Sequence, residues 1–252
     1  MQQRLLSLGI WAGTAVITIV FWALTALCAL AWWDRDRRLS HTCTQWWAQT
    51  LLAMNPFWQL TVDRRTILDD SQPYLFVANH QSFADIIVVF HIKHQFKWVA
   101  KAGLFQIPFL GWSLSLARNI RLRRGSFRSI RRTMDEAQQW LARRISVVFF
   151  AEGSRSRTGA LTPFKSGAFK LAIETRTPVV PLVITGTRYA LPRGSWIFRH
   201  RVRGTLTILP PIDTASYTAA DADRLKDRVF REIERVVLAS VATVPAAAEL
   251  VQ

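Results

Sequence analysis

The chain has 252 residues, half of them hydrophobic, with a formal charge of +16 and an isoelectric point of about 11.3. That suits one sizeable domain plus an attachment segment, and the charge calls for an anionic partner: nucleic acid, an anionic membrane surface or a phosphorylated substrate. Two cysteines, Cys28 and Cys43, exclude a disulfide scaffold, and 11 Trp and 15 Phe beside the arginines favour the membrane interface.

No charged residue or histidine interrupts the chain between Arg4 and Asp34. About 20 apolar residues cross a bilayer, so this run is expected to form a membrane helix. Ala29-Leu30-Ala31-Trp32-Trp33 lacks the cleavage site of a signal peptide, so the helix is expected to be retained. Cys28 lies within the run and is not expected to pair with Cys43. Arg35, Arg37 and Arg38 outnumber Arg4, which by the positive-inside rule places the remainder in the cytoplasm. Thr44 to Leu60 is uncharged but too short and polar to span. It is expected to lie in the interface or fold back on the first helix, a buried core helix being the alternative. Residues 1–60 are therefore expected to anchor a separate domain at 61–245.

From Thr61 the pattern changes. Residues 61–68 and 74–78 are predicted strands around a turn at 69–73, and a helix is expected from Ser82 to about Lys93. A short strand at 96–100 precedes loop and helix broken at Pro108 and Gly111, then a strand at 119–122. Ile130, Met134, Ala137 and Leu141 give 126–143 a helical period. Ile145 to Phe150 is a continuous apolar run, the mark of a central strand. Helix at 169–174, strands at 179–184 and 204–209, and an amphipathic helix at 221–241 complete the order, with a frayed tail after Val244. Strands alternate with helices, so the class is α/β, a mixed, largely parallel sheet flanked by helices. Pro178 and Pro181, in the otherwise β-favouring run Thr177-Pro178-Val179-Val180-Pro181-Leu182-Val183, suggest an edge strand or a shaped wall.

Chemistry concentrates at strand exits. Asn79-His80-Gln81-Ser82-Phe83-Ala84-Asp85 follows the strand at 74–78. Neutral imidazole can take a proton from a hydroxyl, and a carboxylate five residues on can fix its tautomer. Ser82 and Asp85 also fit a helix-capping arrangement, in which His80 is an ordinary loop residue. A run of eight residues, Arg118-Asn119-Ile120-Arg121-Leu122-Arg123-Arg124-Gly125, meets no acid until Asp135; its guanidinium groups suit phosphate oxygens or a membrane-facing basic surface. Phe150-Ala151-Glu152-Gly153-Ser154-Arg155-Ser156-Arg157-Thr158-Gly159 begins where a buried strand ends. Gly153 permits close backbone approach there, Arg155 can contact phosphate, and Glu152 can orient that arginine or a substrate hydroxyl. Lys165 can add charge. There is no Walker loop, no G-x-S-x-G elbow and no Cys/His cluster of metal spacing. His91 and His94 near a helix end read as cationic or capping residues, so no metal is expected.

Taken in order, N-H-x-S-x-x-D, N-I-x-L-x-R-G, A-E-G-S-R-S and V-V-P-L resemble the glycerolipid acyltransferases. The nearest group is the PlsC-like 1-acyl-sn-glycerol-3-phosphate (lysophosphatidic acid) acyltransferases. Ile107-Pro108-Phe109-Leu110-Gly111-Trp112 is similar to a further segment of that family, and the likeness covers roughly 61–210. Ala151, Ser154 and Arg123 depart from the proline, threonine and acidic residue common there, which bears on substrate preference.

The resemblance implies His80 as base, Asp85 as its partner and Arg124 on the glycerol phosphate. Glu152, Gly153, Ser154 and Arg155 would complete the acceptor site, with Val180 and Pro181 on the acyl-donor side. It implies lysophosphatidic acid as acceptor, acyl-CoA or acyl carrier protein as thioester co-substrate, and no other cofactor. The N-terminal helices would embed in the cytoplasmic leaflet, here expected to be that of a bacterial inner membrane rich in anionic lipids. Backbone N–H groups near the helix start after His80 are expected oxyanion donors. Two rival functions stand beside this one: acylation of another lysolipid, such as a lyso-ornithine lipid or a lysophospholipid, and non-catalytic binding of a polyanion, which gives His80, Asp85 and Glu152 no task.

Overall fold

The computed structural model describes residues 2–55, 58–156, 159–191, 195–199 and 201–242, with backbone alone at 241 and 242. Two helices, α1 (Gln2–Ala29) and α2 (Arg38–Ala53), form an antiparallel hairpin. Its turn is closed by charge. Both Asp34 carboxylate oxygens accept from the first free N–H groups of α2, those of Arg38 and Leu39, at 2.8 and 2.9 Å. Arg37 donates to the Ala29 carbonyl at the end of α1. A helix terminus leaves such groups unpaired, and each is met here by a side chain of the turn.

The sheet has seven strands: β1 (Trp58–Arg64), β2 (Leu75–Ala78), β3 (Phe96–Lys101), β4 (Ile120–Leu122), β5 (Ser146–Phe150), β6 (Val179–Thr185) and β7 (Val202–Ile208). Their order is β1-β7-β6-β2-β5-β3-β4, and only the β6–β7 pair is antiparallel. Leu75, Val77, Val147, Val179 and Val183 point into one core with α5 (Phe127–Ala142), α6 (Gly167–Glu174) and α7 (Ala222–Ala242). Phe76, Ala78, Val148, Val180, Leu182 and Ile184 point into the other, beside α2, α3 (Asp85–Val89) and α4 (Leu110–Leu116). Burial on both faces explains the unbroken apolar runs of these strands.

Several expectations are corrected. β6 is an interior strand, not an edge. Pro181 is tolerated because its missing N–H falls on the β7 side, where β7 has already ended: its carbonyl still accepts from Leu209, and pairing resumes only at Val179 and Ile212, beyond Pro210-Pro211. The helix expected from Ser82 starts later and is shorter, α3 and one 3-10 turn at Phe90–Ile92, and Asp85 accepts from the Gln81 and Ser82 N–H groups ahead of it. Cys28 and Cys43 are free thiols whose sulfurs lie 3.5 Å apart, since the hairpin folds the end of α1 onto the start of α2. β1 begins at Trp58, within the segment assigned to the anchor. The expected fraying after Val244 lies outside the described residues.

The first helix is long and apolar enough to cross a membrane. Its contacts nevertheless run along the globular body. Gln3 donates to the Phe198 carbonyl and Trp11 to that of Trp196 at 2.8 Å, while within the hairpin Thr18 accepts from Trp47 of α2. Trp22 packs edge-on against Phe109 and Trp112. The opposite face exposes Leu5, Leu8, Val16, Val20, Leu24 and Leu27.

Candidate active site

Because β2, β5, β6, β3 and β4 run in one direction, the segments leaving their carboxyl ends gather at one edge of the sheet, the usual place for a site in an α/β fold. Asn79 fixes the first of them. Its amide oxygen accepts from Ile184 N and its nitrogen donates to Ile184 O, both at 2.8 Å, so the side chain pins the end of β2 to β6. The next residue, His80, is thereby delivered to the rim.

His80 Nδ1 lies 2.8 Å from Asp85 Oδ2. An ionised carboxylate only accepts, so Nδ1 carries the proton and the Nε2 lone pair is left for a substrate. Asp85 is fully buried, and the same Oδ2 accepts from the Gln81 and Ser82 N–H groups at 2.6 and 2.8 Å. One oxygen thus holds both the His80 ring and the loop ahead of α3, and the helix has no side-chain cap of the kind the sequence offered. Those two N–H groups are occupied, so they are not the oxyanion donors expected from the sequence. The His80 ring stacks on Phe150, with centroids 4.1 Å apart, which holds its plane.

Glu152 follows β5 and does something other than expected. It is buried, with Oε1 accepting from His80 N at 2.7 Å and Oε2 from Thr162 N and Oγ1 at 3.0 and 2.6 Å. It therefore fastens the backbone of His80 to Thr162, and among the described residues it makes no ion pair with Arg155. A second tie joins the same segments, Ser156 N to His80 O at 2.8 Å.

The imidazole opens on a cavity of about 770 Å³ whose wall includes Arg124, Gly153, Ser154, Arg155 and Lys101. Gly153 has φ +70°, the left-handed region that favours glycine. Partial burial pulls the Arg124 guanidinium below its ordinary pKa, and it stays charged at neutral pH. A second, apolar cavity of about 690 Å³ lies between α1 and the body, between Trp11, Trp47, Met54 and Phe109; Phe83 and Arg155 border both cavities.

Of the expected site residues, His80, Arg124, Gly153, Ser154 and Arg155 share this cavity wall. Asp85 and Glu152 stand behind it as supports. Lys165 is exposed outside it, its stem beside Gly153. Val180 and Pro181 do not reach the site. Val180 is packed in the core beneath the sheet, and Pro181 is buried in the strand itself, so neither forms a donor-side wall. Asn79 and Phe150 stand in the motifs quoted above without a role of their own, and Thr162 and Thr187 have no place in those motifs. Among the described residues no group of His, Cys, Asp and Glu could hold a metal ion.

The fold resembles the crystal structure of the 1-acyl-sn-glycerophosphate acyltransferase PlsC from Thermotoga maritima. The TM-score is 0.82 over 96% of this chain and 97% of that one, at 23% identity. Among curated proteins, a chloroplastic 1-acyl-sn-glycerol-3-phosphate acyltransferase of Brassica napus is 34% identical over 186 residues, which is 73% of this chain and 54% of that protein. The mouse 1-acyl-sn-glycerol-3-phosphate acyltransferase alpha is 30% identical over 179 residues, 65% of this chain and 60% of its own length. The chain spans about half the length of the plant and algal relatives it matches. The family model described as acyltransferase covers residues 59–185, just over half the chain, and includes His80, Asp85, Arg124, Glu152 and Arg155. The chain belongs to the acyltransferase family.

Proposed function

We propose that the protein transfers an acyl group from a thioester, acyl-CoA or acyl carrier protein, to the free hydroxyl of 1-acyl-sn-glycerol-3-phosphate, giving phosphatidic acid. The observation that carries this reading is the His80–Asp85 pair at 2.8 Å, opening on a cavity that also holds Arg124 and Arg155. His80 Nε2 takes the hydroxyl proton as the oxygen attacks the thioester carbonyl. Asp85 steadies the imidazolium that forms. Collapse of the tetrahedral adduct expels the thiolate, which recovers the proton from His80. Arg124 and Arg155 pair with the acceptor's phosphate and set its distance from the base.

Two cavities meeting at Phe83 and Arg155 suit a reaction whose two substrates both carry chains. Curated relatives named for this reaction support the same assignment. The apolar hairpin would lie in one leaflet of the membrane, along the surface rather than through it, which keeps the contacts of α1 with the body. A basic rim favours the cytoplasmic face of a bacterial inner membrane, where anionic lipids lie.

The test is thiol release with lysophosphatidic acid against a lysolipid of equal chain length without phosphate. One phosphatidic acid per thiol, and turnover at least about tenfold better with the phosphate, is expected. Equal turnover of both acceptors would assign another lysolipid. Absence of thiol release with either would remove the reaction.

A further inference from the structure

We infer that Thr187 is a positioning residue for the reaction, the third member of a chain that runs from the substrate through His80 and Asp85. The inference rests on His80 being the base.

Thr187 Oγ1 donates to Asp85 Oδ1 at 2.5 Å, from a position 102 residues further along the chain. Thr187 is buried, and Asp85 is fully buried. The two carboxylate oxygens are unequally served. Oδ2 faces the His80 ring and two backbone N–H groups, whereas among the described residues Thr187 is the donor the structure gives to Oδ1. A buried charge with an oxygen left bare is costly, so this single hydroxyl bears on the whole carboxylate.

The backbone is shaped to deliver that hydroxyl. β6 ends at Thr185, Gly186 turns at φ +78°, and Thr187 opens a 3-10 turn. A Cβ on Gly186 would collide with the Arg203 carbonyl of β7, so only glycine fits this close approach. β6 is also the strand to which Asn79 pins His80. One strand thus sets both the base and the hydroxyl behind its partner.

The consequence is electrostatic. With His80 neutral, Asp85 carries an isolated buried charge and relies on its donors; with His80 protonated, the pair is neutral overall and relies on them less. Removing the Thr187 hydroxyl therefore raises the energy of the working, neutral-imidazole state more than that of the protonated one. The acidic limb of the rate profile should move to higher pH. The other charged groups around the pair, Lys101, Arg124 and Arg155 on the cavity wall, Glu152 behind His80 and Arg188 beside Thr187, are the same in wild type and variant.

The test compares T187V and T187S with wild type by thiol release, as kcat/KM against pH, with lysophosphatidic acid and acyl-CoA. T187V is expected to lose about 10- to 100-fold at neutral pH, the range for a hydrogen bond to a charged group. Most of the loss should be in kcat, and part of it should return as pH rises. T187S, which keeps the hydroxyl, should restore both rate and profile. An unshifted profile in folded T187V, or a uniform loss at every pH that T187S shares, would overturn the inference. If T187V does not fold, T187A deletes the same hydroxyl without added volume and is read by the same criteria. H80A separates the two levels: normal turnover in H80A would remove the base itself, whereas an inactive H80A beside an unaltered T187V would remove Thr187 alone.

Discussion

At the residue scale the site divides into groups that face the cavity and groups that hold them. Arg124 and Arg155 face it. Neutralising either as Arg→Gln should raise the acceptor KM by about 10- to 100-fold, the range for charge-assisted hydrogen bonds, with little change in the KM for the thioester. Steady-state kinetics with each substrate varied in turn check this. Glu152 holds. Its two oxygens receive three protein donors, so in Glu152→Gln an amide NH₂ must face a donor. A loss of about 1–3 kcal/mol in unfolding free energy is expected, measured by denaturant titration, with a lower kcat because His80 N is released. The His80–Asp85 pair was legible because its members are five residues apart, and a motif records such local chemistry. Glu152 was found by its motif, but its hold on the His80 backbone was not legible, since its partners lie 72 and 10 residues away. Thr187 has no local signal at all. Its hydroxyl matters only once β6 is placed beside β2.

At the element scale, continuous apolar runs marked β2, β5 and β6, because strands buried on both faces need no polar alternation. The direction of β7 and the interior place of β6 were not legible, since pairing is a property of two strands. The α1–α2 turn shows a related limit. Lys97 of β3 reaches across to it, donating to the Asp36 and Ala117 carbonyls at 2.8 Å, with its Nζ 4.7 Å from the Trp140 ring centroid. Nothing in its sequence neighbourhood marks this lysine. Burial drives its pKa down from 10.5 to about 7, against the raising pull of Asp34 and Asp36. Below pH 7 the ammonium is charged in both folded and unfolded chains and its desolvation opposes folding. Between pH 7 and 10.5 the unfolded chain binds the extra proton, so this group makes stability rise with pH. Lys97→Met should flatten that part of the stability profile, as followed by thermal melts from pH 7 to 10.

On the scale of the whole molecule, the hairpin and the catalytic body act as one object. α1 is tied to the body from Gln3 to Trp22, and its free face is apolar. Replacing Leu5, Leu8 and Val16 together by Ser removes apolar area from that face while sparing the contacts with the body. Vesicle partitioning of the purified protein should fall by at least about tenfold, since burial of one such side chain is worth roughly 1.5–3 kcal/mol. Unchanged partitioning would show that the hairpin's free face does not meet lipid.

The central claim is that an imidazole held by Asp85 removes a proton from a lipid alcohol at the rim of this sheet. Its most direct test is the rate of thiol release by folded His80→Ala in vesicles containing lysophosphatidic acid. A loss of about 10²–10⁴-fold with an unchanged melting temperature is the expected result, the range general base catalysis contributes. Turnover by folded His80→Ala at the wild-type rate would contradict it.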